Sequence, residues 1–154
     1  MIRGIHHLGI HTPDIDRLRS FYEKAFGFTV VGEEHNLKDY PEAGPVTGVK
    51  DPAARFVLMK AQNFYLELFQ WSAPKGRSLQ PLNPNDFGYT HFCVDVVDIE
   101  SEYKRLSELG MTFVHPSPVK SGQSKTVYGR DPDGNIIEIQ EVPSGNVGHP
   151  ETDT

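Results

Sequence analysis

The chain is expected to fold as an α+β protein built from one unit used twice, each copy running strand, helix, strand, strand, strand. Three observations carry that expectation. Apolar residues pass from period two to period 3.6 and back in the same order in both halves. Each half opens on a histidine, His7 or His91, followed seven residues later by an Asp-Ile pair, Asp14-Ile15 or Asp98-Ile99, suited to starting a helix. Each half also closes on an apolar-Glu-apolar strand, Leu66-Glu67-Leu68 or Ile137-Glu138-Ile139.

MIRGIHHLGIHT reads as the first strand, with Leu8 and Ile10 on one face and His7, Gly9 and His11 on the other. TPDIDRLRSFYEKAFG is helical: Ile15, Leu18, Tyr22 and Phe26 form one stripe, Asp14 caps the start and Gly27 ends it. FTVVGEE is the second strand. Residues 35–54 carry Gly and Pro without a sustained period and read as a long loop, of the kind that shapes binding sites. RFVLMK and NFYLELFQW form a hairpin turned at Gln62 and Asn63, with Phe64, Leu66 and Leu68 on one face and Tyr65, Glu67, Phe69 and Trp71 on the other.

Residues 73–88 are a Pro-rich connector, after which the pattern restarts. GYTHFCVDV alternates, with Phe92, Val94 and Val96 opposite Tyr89, His91, Cys93 and Asp95. Asp98 caps a second helix, striped by Ile99, Tyr103, Leu106 and Leu109 and ended by Gly110. MTFVHPS, QSKTVYGR and NIIEIQEV are the remaining strands, the last hairpin turning at Asp133-Gly134. The two modules thus occupy 4–72 and 89–143 of a single 154-residue domain, and 144–154 is a fraying tail.

A net charge of −6 with no long Lys/Arg run gives no electrostatic footprint for nucleic acid. No apolar run approaches the roughly 20 residues of a membrane span, and MIRGIHH lacks a signal-peptide core. The single cysteine, Cys93, has no partner for an internal disulfide. A cytoplasmic setting is therefore expected.

His7, Glu67, His91 and Glu138 all fall on the face opposite the one that would pack on a helix. A carboxylate among apolar neighbours is costly unless it meets a cation. A lone glutamate would read as the solvated face of an edge strand, but here the arrangement occurs twice. If both sheets bury their apolar faces against helices, the four side chains converge on a shared interior. Two imidazoles and two carboxylates suit one divalent ion of Zn, Ni, Co, Mn or Fe(II).

The residues HHLGI with FYEKAFGF, then LELFQW, GYTHFCV and YGRDPDGNIIEIQE, make the span from about His7 to Val142 resemble the vicinal oxygen chelate superfamily. That group includes glyoxalase I, methylmalonyl-CoA epimerase, bleomycin-resistance proteins and extradiol dioxygenases. The resemblance implies paired βαβββ modules forming a curled, eight-stranded mixed sheet, a glyoxalase-like cup with the metal on its floor. It places the ligands on His7, Glu67, His91 and Glu138. In relatives that isomerise, a metal-bound glutamate loosens to act as base, so Glu67 and Glu138 are catalytic candidates too. Relatives are commonly homodimers, with modules paired within one chain or between two.

Four protein ligands on an octahedral ion leave two adjacent positions, enough for two vicinal oxygens of one substrate. The expected function is thus a metal-dependent isomerase, epimerase or lyase stabilising the enolate of a small carbonyl substrate. The alternatives are an extradiol-type Fe(II) dioxygenase, which His7, His91 and Glu138 alone would serve, and a metal-free drug-binding protein. Glutathione-using relatives carry arginine where this chain has His11, and epimerase relatives carry glutamine where it has Glu67.

Tyr65, Phe69 and Trp71 share the ligand face and are candidate substrate contacts. His11 joins them as a substrate contact, with a solvated strand end as its other reading, and Tyr128 joins them as a proton carrier or a packed tyrosine. His6 is expected to face the helix side as a packed or hydrogen-bonded residue, and Cys93 to be a small buried thiol. His35, His115 and His149 receive no role. Arg55, Lys125 and Arg130 could pair with an anionic substrate, though single surface cations seldom do.

Overall fold

In a computed structural model of the chain, residues 1–77 and 81–146 are described. Positions 78–80 of the connector and 147–154 of the tail, including His149, lie outside the described residues. The chain divides into two compact units, Met1–Leu79 and Gln80–Thr154. Among the described residues, no helix is long and apolar enough to cross a membrane.

The first unit contains β1 (Leu8–His11), α1 (Ile15–Phe26), β2 (Thr29–Val30), β3 (His35–Asn36), α2 (Ala43–Thr47), β4 (Ala53–Ala61) and β5 (Phe64–Ala73). Its sheet runs β1-β5-β4-β2, with β3 also on β4; β1 is parallel to β5 and the other pairs are antiparallel. Asp14 accepts from the Arg17 amide to start α1, and Gly27 ends it at φ 69°. Ile15, Leu18 and Tyr22 on α1 and Val57, Met59, Leu66 and Leu68 on β4 and β5 are almost wholly buried. α1 therefore covers one face of the sheet, each large apolar side chain contributing about 1.5–3 kcal/mol, and the alternate residues occupy the other face.

The second unit repeats the plan. It contains β6 (His91–Asp95), α3 (Ile99–Glu108), β7 (Thr112–Phe113), β8 (Val119–Ser121), β9 (Ser124–Arg130) and β10 (Ile136–Glu141). The sheet order is β6-β10-β9-β7 with β8 on β9, and β6 is parallel to β10. Ile99, Leu106, Ile137 and Ile139 are fully buried. Asp98 caps α3 from a left-handed conformation, φ 57°, and accepts from the Ser101 amide and hydroxyl. Its own amide donates to Glu141 Oε1 at 2.8 Å, tying the helix start to the end of β10.

The α+β class and the paired modules match the expectation, but ten strands in two five-stranded sheets replace eight in one. The added strands, β3 and β8, are two- and three-residue ladders on β4 and β9, too short to show a period. The segment 35–54 is likewise more than a loop. It holds β3, a 3-10 turn at Leu37–Asp39 and α2. Leu37, Ala43 and Ala54 bury one another there, packed by Tyr40, Phe56, Phe69 and Trp71. The first strand is shorter than expected, since β1 begins only at Leu8.

The run RDPDGN is a latch at the start of β10. Asp131 is 4% exposed, and its Oδ1 accepts from the amides of Asp133 and Asn135, each at 2.9 Å. Oδ2 accepts from Asn135 Nδ2 at 2.8 Å, and Gly134 turns the chain at φ 90°. Arg130 donates to the carbonyls of Gly134 and Leu82. Opposite Phe113, Gly129 leaves no room for a side chain, because an added Cβ would lie 2.4 Å from Met111 Cε and 2.9 Å from Phe113 Cδ1. Gly129→Ala is expected to lower stability by about 1–3 kcal/mol through overpacking, measured by urea denaturation.

Candidate metal centre

In the first module, His7 stands just before β1 and meets Glu67 on the neighbouring β5. His7 Nε2 lies 3.3 Å from Glu67 Oε2, with the side chains 39% and 22% exposed. In the second, His91 opens β6 and meets Glu138 on β10, again with Nε2 3.3 Å from Oε2, and exposures of 29% and 19%. Both pairs are thus open to a ligand.

The other nitrogen of each imidazole is also engaged, in both cases by the preceding residue. His7 Nδ1 is 2.8 Å from His6 Nδ1, and His91 Nδ1 is 2.9 Å from Thr90 Oγ1. His6 stacks on Tyr65 at 5.3 Å between centroids, which holds it beside His7. Sequence reasoning assigned His6 to the helix side. The structure corrects this: His6 is exposed and precedes β1, so strand alternation does not govern it.

Each candidate pair is therefore brought together within its module. Among the described residues, no three or more His, Cys, Asp or Glu side chains gather as a metal-holding group. Each module presents two donors.

Tyr65 lies on the Glu67 side of β5, stacked by His6 and with Lys60 Nζ 5.6 Å from its ring centre. Phe69 stacks on Phe56 at 5.5 Å and neighbours Trp71 at 6.3 Å, forming an aromatic row further along the same face. His11 Nε2 accepts from the Trp71 amide at 3.3 Å, binding the end of β1 to β5. Tyr128 pairs with Glu138 across β9 and β10, and its ring lies 5.0 Å from that of His91. Burial and the Glu138 carboxylate hold its phenol above the ordinary tyrosine pKa.

Cys93, expected to be buried, is exposed. Desolvation first, then the carboxylates of Glu138 and Asp95, push its thiol up to about 12. The basic candidates are engaged by protein groups: Arg55 by Asp16 and Glu34, Lys125 by Glu100, and Arg130 by two carbonyls. His35 bonds to Tyr40 OH and His115 to the Ser117 carbonyl.

Sequence reasoning missed Thr126, whose hydroxyl reaches Glu138 Oε1 at 2.7 Å. It pairs with Gln140 in the ladder, so only the strand register reveals the diagonal contact. A separate cleft of about 750 Å³ is shaped by the segment after β3 and lined in part by Leu37, Lys38, Tyr40, Pro45 and Lys50. It contains neither His–Glu pair, and the pairs remain the stronger candidate because their donors are matched and oriented.

Residues 4–139 match the model of the Glyoxalase/Bleomycin resistance protein/Dioxygenase superfamily. A 2-epi-5-epi-valiolone epimerase from Actinomyces is 25% identical over 151 residues, covering 92% of this chain and 81% of the relative. The chain spans only 42% of plant lactoylglutathione lyases that it also matches. A glyoxalase family protein from Bacillus cereus has a similar fold, with a TM-score of 0.81 at 23% identity over 92% of this chain and 95% of that one. A glutamine variant of the fosfomycin resistance protein FosX from Listeria monocytogenes, in complex with Mn(II), has a TM-score of 0.63 at 15% identity, over 90% and 92%. Two modules of one topology, and a family model spanning both, make the chain a member of the Glyoxalase/Bleomycin resistance protein/Dioxygenase superfamily.

Proposed function

We propose that the chain is a divalent-metal-dependent isomerase, epimerase or lyase acting on a small carbonyl substrate. His7, Glu67, His91 and Glu138 are then the ligands of one ion, of Zn, Ni, Co, Mn or Fe(II). The observation that carries this reading is the repeated geometry: Nε2 faces a glutamate oxygen at 3.3 Å while Nδ1 is engaged by the residue before.

The donors fit such an ion. Moving each ring proton from Nε2 to Nδ1 frees the Nε2 lone pair, and His6 Nδ1 or Thr90 Oγ1 accepts the relocated hydrogen. No polar group is stranded by the change. Mixed imidazole and carboxylate donors suit borderline divalent ions. Two donors are too few for a stable site, so this reading requires both pairs on the same ion, from one chain or from two copies in a homodimer. Relatives named as an epimerase and as lactoylglutathione lyases, and Mn(II) bound by FosX, lend support.

Bound there, a divalent cation supplies Lewis-acid stabilisation of the charge that develops on a carbonyl oxygen when the adjacent carbon loses its proton. Glu67 and Glu138 are the carboxylates that take up and return that proton. Tyr65, Phe69 and Trp71 form an apolar wall for the hydrocarbon part of a substrate, with His11 at its end. Tyr128, kept protonated, presents a hydroxyl beside Glu138.

The test is elemental analysis of protein purified without chelators, followed by assay with hemithioacetal and chiral carbonyl substrates. One divalent ion per chain and metal-dependent conversion are expected. A metal-free protein with full activity would overturn the reading. Refolding a mixture of a His7→Ala/Glu67→Ala chain with a His91→Ala/Glu138→Ala chain then separates the two assemblies. Exchange of modules between copies regenerates one intact site, whereas pairing within a chain leaves every site damaged.

A further inference from the structure

The two glutamates are not held alike. Thr126 Oγ1 lies 2.7 Å from Glu138 Oε1 and 3.2 Å from the Ile139 carbonyl. Its single proton goes to the nearer, charged acceptor, since a hydrogen bond to a carboxylate is shorter and stronger than one to a neutral oxygen. That leaves Oε2, the oxygen already facing His91 Nε2 at 3.3 Å, for an ion. The Glu138 carboxylate is thus engaged at both oxygens before any ion arrives.

Among the described residues, none braces Glu67 in this way. The residue facing it across β4 and β5 is Leu58, where the second module has Tyr128 facing Glu138. Two residues earlier on each strand stand Phe56 and Thr126, so the position that donates a hydroxyl in one module holds a phenyl ring in the other. Among the described residues, the polar contact of Glu67 is with His7.

We propose that Thr126 is a positioning residue that fixes the Glu138 carboxylate for metal binding, and that the His91–Glu138 pair is consequently more firmly preorganised than the His7–Glu67 pair. This inference rests on the metal reading above. Orienting groups behind a ligand typically change metal affinity by about 10–100-fold.

The experiment measures affinity for Zn(II) and Mn(II) alone by competition with a chromogenic chelator, using the full chain, Thr126→Val and Thr126→Ser. Valine preserves shape and strand preference but removes the hydroxyl. Its affinity is expected to fall about tenfold, with serine restoring the original value and the metal-free melting temperature little changed. Glu138→Gln is expected to weaken binding more than Glu67→Gln. A valine variant with unaltered affinity overturns the role of Thr126, and the reverse order of the glutamine variants overturns the inequality of the pairs. Failure of the unaltered chain to bind either ion would overturn the metal reading itself, which the other outcomes leave standing.

Discussion

His91→Ala is expected to leave the chain folded while removing the proposed divalent ion and the turnover proposed to depend on it. The imidazole lies on the open face of β6, 29% exposed, and packs into no apolar core, so its loss costs stability only slightly. Its loss leaves the proposed ion with three protein donors, one of them Glu138, now without its imidazole neighbour. Lewis-acid catalysis contributes several kcal/mol, and each 1.36 kcal/mol is a factor of ten, so kcat/KM should fall about 1,000-fold. Ion content by elemental analysis reads the first half of the prediction before the substrate is known. Added Zn(II) or Mn(II) should raise the melting temperature of the unaltered chain far more than that of the variant. Retention of a stoichiometric ion by the variant would show that His91 is not a ligand.

The second large effect belongs to Asp131, which no candidate chemistry involves. Its nearly buried carboxylate accepts from two amides and one side-chain amide within a single turn. Asp131→Ala leaves those donors without their acceptor in a region closed to most water. Hydrogen bonds to charged groups contribute about 1.5–3 kcal/mol each, and their losses overlap, so about 3 kcal/mol is the expected cost. For a chain of this size that corresponds to a fall in Tm of roughly 10 °C. Asp131→Asn, which keeps Oδ1 for the two amides, should recover part of it. Calorimetry decides, and an alanine variant melting with the unaltered chain would show that the turn holds without its carboxylate.

What could be read from residue order was what depends on near neighbours. Asp14 and Asp98 were legible as helix caps because capping is a contact over three residues, and Gly27 and Gly110 as stops because few other residues tolerate their φ of 69° and 98°. Glu67, His91 and Glu138 could be placed on one strand face because alternation fixes it, whereas His7 stands before β1, beyond the reach of that rule. β3, β8 and α2 were not legible, being too short for any period to emerge. The reach of Thr126 to Glu138 was hidden because it depends on the register of β9 against β10. Cys93 was misjudged for a related reason: alternation gave its face but not how much of that face is covered.

His6 and Thr90 are each the covalent neighbour of the imidazole they engage. Any breathing of the sheet, thermal expansion or strand displacement carries the ring and its tether along together. The orientation of each ring is thereby tied to its own stretch of backbone, while its Nε2 faces a glutamate on a neighbouring strand.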